Sequence, residues 1–554
     1  MSRKIVVVGG VAGGASVAAR LRRLSEEDEI IMVERGEYIS FANCGLPYYI
    51  GGVITERQKL LVQTVERMSK RFNLDIRVLS EVVKINKEEK TITIKNVTTN
   101  ETYNEKYDVL ILSPGAKPIV PSIPGIEEAK ALFTLRNVPD TDRIKAYIDE
   151  KKPRHATVIG GGFIGVEMVE NLRERGIEVT LVEMANQVMP PIDYEMAAYV
   201  HEHMKVHNVE LVFEDSVDAL EENGTVARLK SGSVIKTDMI ILAVGVQPES
   251  SLAKDAGLAL GVRGTIKVNE KFQTSDPYVY AIGDAIEVKD FVTETETMIP
   301  LAWPANRQGC MLADIIHGHT ESLYKGTMGT SVAKVFDLTV ASTGVNEKIL
   351  KRLNIPYEVV HVQANSHAGY YPNATPVLIK LIFNKESGKI YGAQALGRDG
   401  VDKRIDVIAT AMKANLTVID LPDLELSYAP PYSSAKDPVN MVGYAASNIV
   451  DGFVETVQWH EIDRIVDNGG YLIDVREPNE LKQGMIKGSI NIPLDELRDR
   501  LDEVPMDKEI YITCQLGMRG YVAARMLMEK GYKVKNVDGG FKLYGTVLPE
   551  RVVY

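Results

Sequence analysis

A strand, a glycine-rich turn, a helix and a second strand that ends in an acidic residue occur together twice in this chain. The first unit runs from the apolar residues 5–8 through the turn at residues 9–14 and ends at Glu34. The second unit runs through the turn at residues 160–165 and ends at Glu183. In such a βαβ unit the turn brings backbone N–H groups and the positive end of a helix to a pyrophosphate. The repeat therefore predicts an α/β chain with two dinucleotide-binding domains.

The two glycine turns differ at one position. The second has all three fingerprint glycines, Gly160, Gly162 and Gly165, whereas Val11 stands where the middle glycine of the first would be. Glu183 favours NADH, because a carboxylate bonds ribose hydroxyls and would repel the 2′-phosphate of NADPH. No arginine directly follows it, and use of NADPH remains an open alternative.

A third acidic strand end completes the cofactor prediction. Asp284 follows the strand-like residues 278–282 and Gly283, where it could bond the ribityl chain of a flavin. Together with the two βαβ units it predicts a flavoprotein that binds FAD at the first turn and NADH at the second. The predicted cofactor-binding residues are Gly9, Gly10, Ala12, Gly13, Gly14, Glu34, Arg35, Asn43, Gly115, Gly160, Gly162, Phe163, Gly165, Glu183, Gly245, Gly283 and Asp284.

Length and composition limit the remaining possibilities. At roughly 150 residues per domain, 554 residues suggest three or four domains. The net charge of −12 argues against nucleic acid or an anionic membrane as the main partner. The three cysteines, Cys44, Cys310 and Cys514, are widely spaced, which indicates a reducing compartment. No apolar stretch approaches the roughly 18 residues of a membrane span, so the cytoplasm is the expected location. No metal site is predicted.

With these motifs, residues 1 to about 450 resemble the pyridine nucleotide–disulfide oxidoreductases. Residues 40–48, S-F-A-N-C-G-L-P-Y, are similar to the reactive-cysteine motif of the coenzyme A-disulfide reductases. These belong to a single-cysteine branch that also holds NADH oxidases and NADH peroxidases. The resemblance implies Rossmann-like FAD-binding (1–152 and 275–326) and NAD(H)-binding (153–274) domains. An α+β dimerisation domain (327–450) would follow, and hence a homodimer. Within it, residues 327–397 have the pattern of strands joined by hairpins.

Cys44 has no internal partner for a CxxxxC disulfide, because Tyr49 stands five positions later. Two-electron chemistry then requires a mixed disulfide with an outside thiol, or a sulfenic acid. We expect a helix N-terminus or the flavin to lower the pKa of the thiol, since the thiolate is the attacking form. The oxidases and peroxidases of the branch carry a histidine in the first glycine turn. This chain has Val11 and Ala12 there, which counts against oxygen or peroxide as substrate.

The resemblance also implies which residues bind coenzyme A and assist the sulfur chemistry. Arg20 and Arg23, an (i, i+3) pair on the first helix, would contact the phosphates. The implied substrate-binding residues are Ser16, Arg20, Arg23, Ser40, Asn43, Arg71, Asn306 and Lys436. In the family, tyrosines of the dimerisation domain reach the partner subunit's reactive sulfur, where a phenol can donate a proton. We assign Tyr370 and Tyr428 to this role, with Tyr371 and Tyr432 as alternates, and interpret Cys310 as structural.

The last hundred residues carry a second cysteine motif. Cys514 follows the strand-like residues 511–513, and four residues separate it from Arg519. A cysteine in a loop of outward N–H groups that opens a helix sits in an anion cradle. Residues 473–477, 484–493 and 511–519 resemble, in this order, the rhodanese-like sulfurtransferases. The resemblance implies a rhodanese-like α/β domain over residues 456–554, in which Cys514 holds sulfane sulfur and Arg519 assists.

These motifs together predict a fused flavin reductase and sulfurtransferase. NADH would drive reduction of coenzyme A persulfide, polysulfide or coenzyme A disulfide through a Cys44–coenzyme A mixed disulfide, and Cys514 would handle sulfane sulfur. Three alternatives remain open at this point: a plain coenzyme A-disulfide reductase, an NADH oxidase or peroxidase, and a flavin-bound redox sensor or docking protein.

Overall fold

The computed structural model describes residues 2–319 and 323–554. The second segment predicted for the FAD-binding domain, residues 275–326, includes residues 320–322, which lie outside the described residues. The chain separates into two compact units, one built from residues 1–188 and 208–329 and the other from residues 189–207 and 330–554. None of the helices in the described part of the chain has the length and apolar character that crossing a bilayer would demand.

Two parallel five-stranded sheets form the core of the first unit, and each contains one of the two βαβ repeats. The first has the order Val279–Ala281, Val109–Leu112, Lys4–Val8, Glu29–Val33 and Asp75–Arg77. The second has the order Val209–Phe213, Glu178–Glu183, His155–Ile159, Met239–Leu242 and Leu132–Phe133. In both, the strand before the glycine turn is central and almost fully buried, because it pairs on both sides.

Helices and smaller sheets complete the first unit. The helices are Ala12–Leu24, Leu46–Gly51, Val65–Phe72, Val138–Lys151, Phe163–Glu174, Ser251–Asp255 and Ala302–Ile316. The smaller sheets pair Ser80–Asn86, Thr91–Asn96 and Thr102–Lys106; Val217–Glu221, Val226–Leu229 and Val234–Lys236; Ala116–Pro118 with Val246–Pro248; and Val288–Lys289 with Glu296–Thr297.

An antiparallel sheet organises the first part of the second unit. Its order is Ser331–Val335, Leu338–Gly344, Ile390–Gly397, Pro376–Phe383 and Glu358–Asn365. The helices with it are Tyr194–Val206, Glu347–Leu353, Val401–Lys413 and Pro438–Val450. The expectation of strands joined by hairpins over residues 327–397 was wrong at one connection, where the Glu347–Leu353 helix intervenes. Asn346 caps its first turn and Asn354 ends it in the left-handed conformation.

A parallel sheet forms the C-terminal part of the second unit. Its order is Glu455–Val457, Lys533–Val537, Glu509–Thr513, Tyr471–Asp474 and Ile490–Asn491. The α-helices here are Ile462–Asp467, Met518–Met528 and Gly540–Val547, and Met485–Ile486 pairs with Val552–Val553. Cys514 therefore follows a central, buried strand and precedes a helix, as its motif predicts.

A buried network of charges ties three parts of the second unit together. The Lys380 ammonium is fully buried and pairs with Asp193, Glu195 and Glu347, at 2.9 Å from Asp193 and 2.5 Å from Glu347. Although burial lowers the pKa of Lys380, these carboxylates raise it well above its usual range. The His361 ring contacts Glu195 at 3.3 Å and Asp538, which follows the Lys533–Val537 strand, at 2.6 Å. Each buried charge thus has a partner, as burial of ions requires.

Candidate functional site

The glycine turns of the two βαβ repeats have matching backbone geometry. A Cβ on Gly14 would lie 1.8 Å from the carbonyl oxygen of Gly9, and one on Gly165 would lie 1.9 Å from that of Gly160. Only glycine allows helix and strand to approach this closely. At Gly162, by contrast, a Cβ would meet no atom within 4 Å. That open face is where a pyrophosphate can approach the backbone, so the turn fits a dinucleotide.

The acids that close the second strands are bonded to the same turns. Glu34 accepts hydrogen bonds from the N–H groups of Gly10 and Gly36, each at 2.8 Å. Glu183 accepts them from Gly161 at 2.6 Å and from the residue two positions after it at 2.8 Å. An ionised carboxylate has further lone pairs that can accept from ribose hydroxyls. The two predicted acids therefore stand beside the phosphate cradles in equivalent positions.

Asp284 is held in a largely buried position after Gly283. Burial raises its pKa to about 6, against the charge of Arg136, which lowers it. Burial in turn lowers the pKa of Arg136, and its guanidinium lies against Gly115, 2.7 Å from where a Cβ would be. A partly buried carboxyl within electrostatic reach of a partly buried cation fits the polar part of a flavin. Arg136 was missed by sequence reasoning, because no local motif marks it.

Cys44 occupies a short 3₁₀ turn, Asn43–Gly45, directly before the Leu46–Gly51 helix, and is exposed. A helix N-terminus or the flavin was expected to lower the pKa of its thiol, and the protein's own charged groups act in the opposite direction. The protein atoms that shield one side of the thiol from water raise the pKa of Cys44. The carboxylates of Glu167 and Asp284 raise that pKa further.

Glu167 is a second residue that sequence reasoning missed. It lies on the Phe163–Glu174 helix, which packs so closely on the Leu46–Gly51 helix that a Cβ on Gly51 would meet Asn171 at 2.0 Å. Tyr48 donates a long hydrogen bond of 3.5 Å to Glu167. Burial raises the pKa of Glu167 to about 7. A carboxyl that titrates near neutral pH therefore faces the reactive cysteine.

The residues implied to bind coenzyme A are distributed over both units. In the first, Ser16 donates to Asn306 at 2.6 Å, and Arg20 pairs with Asp314 at 2.8 Å. Ser40 adopts a left-handed φ of 44° and donates its N–H to Gly10 at 2.9 Å. Four of the predicted residues lie in exposed positions: Arg23, Asn43, Arg71 and Lys436. Lys436 belongs to the second unit, where its ammonium lies 5.5 Å from the centre of the Tyr444 ring.

The two assigned tyrosines are brought together although 58 positions separate them. The hydroxyls of Tyr370 and Tyr428 lie 2.7 Å apart, and 77% of Tyr370 is exposed. Their mutual hydrogen bond raises the pKa of Tyr370. The pair can therefore donate a proton from one phenol while the other stabilises the oxygen left behind. The alternates Tyr371 and Tyr432 are exposed as well.

Cys514 is buried in an anion cradle of backbone groups. The N–H of Gly517, whose φ is 104°, donates to the Cys514 sulfur at 3.1 Å. Below the loop, the fully buried Arg476 pairs with Asp474 at 2.7 Å and stacks 3.9 Å from the Phe541 ring. This is the arrangement that stabilises a thiolate or a persulfide anion.

Arg519 is oriented by a carboxylate that sequence reasoning missed. Glu480 accepts two hydrogen bonds from its guanidinium, at 2.7 and 2.6 Å. The bond to Glu480 raises the pKa of Arg519, and electrostatic interaction with the Cys514 side chain acts in the same direction. The predicted arginine thus stands within electrostatic reach of Cys514, in a fixed orientation.

Comparison with known families agrees with this geometry. A profile described as pyridine nucleotide-disulphide oxidoreductase matches residues 3–309, more than half of the chain. The chain belongs to this oxidoreductase family. The dimerisation domain of the same family matches residues 330–438 of the oxidoreductase, and a rhodanese-like domain matches residues 458–546. The family depends on FAD and NAD(H).

Several relatives of this oxidoreductase are known. It is 39% identical over 443 residues to the coenzyme A disulfide reductase of Staphylococcus epidermidis, a match that covers 80% of this chain and 99% of the relative. The crystal structure of reduced Bacillus anthracis CoADR-RHD is 95% identical, with a TM-score of 1.00 and full coverage of both chains. The structure of an NAD-dependent persulfide reductase from A. fulgidus is 37% identical, with a TM-score of 0.91, and covers 98% of this chain and 100% of its own.

Proposed function

We propose that this oxidoreductase uses NADH to reduce coenzyme A persulfide and coenzyme A disulfide at Cys44. The observation that carries the proposal is the exposed Cys44 thiol, in the unit that also holds both dinucleotide turns. The other cysteines of the chain are Cys310 and Cys514, and neither is spaced to form a CxxxxC pair with it. A second sulfur must therefore come from a small molecule.

The proposed cycle has two half-reactions. The Cys44 thiolate attacks the coenzyme A sulfur of the persulfide, forms a Cys44–coenzyme A disulfide and releases hydrosulfide; with the disulfide substrate it releases coenzyme A thiolate. Two electrons and a proton then convert the mixed disulfide to Cys44 thiolate and coenzyme A thiol. FAD, held at the first glycine turn, would supply the two-electron transfer from NADH that this half-reaction needs.

The remaining predicted residues are assigned to binding and proton transfer. We infer that Ser16, Ser40, Asn43, Asn306, Arg20, Arg23, Arg71 and Lys436 bind coenzyme A. The Tyr370–Tyr428 pair would protonate the leaving thiolate of a partner subunit in a homodimer, which the match to a dimerisation domain supports. Cys514 would accept sulfane sulfur from a persulfide or polysulfide as a cysteine persulfide, with Arg519 balancing its charge.

Relatives that cover the whole length of the chain support both substrates. The CoADR-RHD structure covers 100% of this chain and the persulfide reductase structure covers 98% of it. Comparing kcat/KM for the two substrates separates the candidates. The oxidase or peroxidase alternative lacks a histidine in the first turn. A sensor or docking role is not favoured, since the family relatives are reductases.

Intact mass of the holoenzyme tests the partner thiol. The oxidised protein should gain the mass of one coenzyme A less two hydrogens, located on Cys44 by peptide mapping, and should lose it on reduction with NADH. A Cys44→Ser variant carries no adduct if the proposal is correct. An oxidised wild type without the adduct, or an adduct that persists in the variant, would refute it.

A further inference from the structure

Two histidines and a carboxylate meet at the end of the Tyr194–Val206 helix, apart from every residue assigned above. His203 and His207 are four positions apart, so their rings project from the same helical face. Asp337 lies in the two-residue turn between the strands Ser331–Val335 and Leu338–Gly344. One ligand atom from each of the three lies within 4.8 Å of the others.

The His203 ring has an unsatisfied nitrogen that faces this cluster. Its Nε2 is buried, lies 2.7 Å from Oδ1 of Asp337, and has no hydrogen-bond partner of acceptable geometry among the described residues. Burial lowers the pKa of His203, with His207 and Arg398 acting in the same direction and Asp337 opposing them.

The other two groups are held in position by their surroundings. Nδ1 of His207 donates to the His203 carbonyl at 2.9 Å, which leaves Nε2 as the ring nitrogen that can bind an ion. Arg398 pairs with the other oxygen of Asp337, Oδ2, at 3.1 Å, which leaves Oδ1 directed at His203. Such partners orient ligands from outside a metal site.

A strained residue brings the carboxylate to the helix. Phe336 has a φ of 58°, a conformation rarely adopted by a bulky side chain. Its ring stacks on His207 with centroids 4.0 Å apart and planes 6° from parallel. The strained turn thus fixes both the position of Asp337 and the ring plane of His207.

A second cluster of acidic side chains in the same unit already contains a cation from the protein. Asp193, Glu195 and Glu347 also lie close enough together to bind an ion, but the Lys380 ammonium stands among them as their cation. In the histidine cluster, Arg398 contacts Oδ2 of Asp337, whereas Oδ1 is the oxygen that lies against His203. The inner face of that cluster combines two imidazoles and a carboxylate, a donor set suited to zinc and similar ions.

We infer that His203, His207 and Asp337 form a site for a divalent transition-metal ion of the Zn²⁺ class, with a fourth position open to solvent. Metal bonds of about 2.0–2.2 Å at tetrahedral angles place two ligand atoms about 3.4 Å apart. The 2.7 Å contact between His203 and Asp337 must therefore open slightly, which the half-exposed Asp337 side chain allows. The bound ion would cross-link the helix end to the strand turn.

Zinc binding to the full-length, chelator-treated holoenzyme tests this inference. Equilibrium dialysis at micromolar free Zn²⁺, with metal counted by atomic emission, is compared among wild type, His203→Gln, His207→Gln and Asp337→Asn. His460→Gln is the matched control, because His460 is an exposed histidine of the same unit. Thermal unfolding with and without Zn²⁺ gives a second readout that is independent of activity and of the thiols.

The wild type and His460→Gln should each bind one equivalent of zinc per chain. His203→Gln and His207→Gln should lose this equivalent. Removal of a group that orients a metal ligand from outside the site lowers metal affinity by about 10–100-fold. Loss of a ligand itself should therefore weaken zinc binding by at least about tenfold. Zn²⁺ should also raise the unfolding temperature of the wild type more than that of His207→Gln. Unchanged stoichiometry and affinity in His207→Gln, or no zinc bound to wild type, would overturn the inference.

Discussion

Cys44 and Cys514 have different charged and polar groups around their sulfur atoms. Cys44 is exposed, and both desolvation and the carboxylates of Glu167 and Asp284 raise its pKa. Cys514 is buried, yet it accepts a hydrogen bond from the Gly517 N–H and has Arg519 within electrostatic reach. A persulfide anion can therefore rest in the Cys514 loop. The protein groups around Cys44 disfavour its thiolate, which suits a sulfur that reacts when cofactor and substrate are bound.

Replacing each cysteine by serine should separate the two roles most strongly. Cys44→Ser removes the attacking sulfur and should lower NADH-driven reduction of coenzyme A disulfide by at least about 10³-fold, as loss of a nucleophile does. Cys514→Ser should leave that rate unchanged, and Cys310→Ser should serve as the control. The measurement is anaerobic NADH oxidation at saturating substrate. Equal losses of NADH oxidation in Cys44→Ser and Cys514→Ser would contradict separate roles for the two cysteine loops.

Arg519 tests whether the Cys514 loop is an anion site. Arg519→Gln removes the charge that faces the sulfur and should slow sulfane-sulfur transfer to cyanide by about 10²-fold, comparable to loss of an oxyanion donor. Glu480→Gln keeps the charge of Arg519 but no longer fixes the orientation of its guanidinium, so the transfer rate should fall by a smaller factor. Arg525→Gln, on the same helix, is the matched control. Wild-type transfer by Arg519→Gln would mean that the backbone alone holds the anion.

The His361–Asp538 pair tests what holds the Cys514 loop in place. Asp538 precedes residues whose backbone N–H groups bond the loop, including Phe541 to the Cys514 carbonyl at 2.7 Å. Although burial lowers the pKa of His361, Asp538 and Glu195 raise it from 6.5 to about 9. Its contribution to the free energy of unfolding, on the order of 3 kcal/mol, is complete below pH 6.5 and is lost as the pH rises through about 9.

Thermal unfolding of the full-length protein across this pH range measures that loss. Asp538→Asn removes the main partner of His361, so its unfolding temperature should be lower at pH 6.5 and should fall less between pH 6.5 and 9. Identical pH dependence in the variant and the wild type would show that the pair does not titrate with unfolding.

Glu167→Gln should give the smallest of the four effects. Removing a carboxylate that raises the pKa of Cys44 lowers that pKa, so the increase in reduction rate with pH should move to lower pH. The pH profile of kcat/KM for coenzyme A disulfide measures the shift. Glu174→Gln, an exposed acid on the same helix, should leave the profile unchanged. A profile that moves to higher pH would contradict the electrostatic role of Glu167.

The features found from the sequence are those that neighbouring residues determine. The turns at residues 9–14 and 160–165 were predicted because strand, glycine and helix follow each other directly, and the structure has both βαβ repeats. Cys44 and Cys514 were found for the same reason, since each lies in a short motif. The conformation of the chain within a few residues follows from local preferences and needs no knowledge of the fold.

The residues that tune each site could not be found in this way. Glu167 reaches the Cys44 loop because two helices more than a hundred positions apart pack together, and Glu480 reaches Arg519 across 39 positions. Asp337 meets His203 and His207 only because a turn folds over a helix end. The sequence by itself determined the cofactor turns and the reactive sulfurs. Tertiary structure alone decided the charges around them, because electrostatic interaction depends on distance in space and not along the chain.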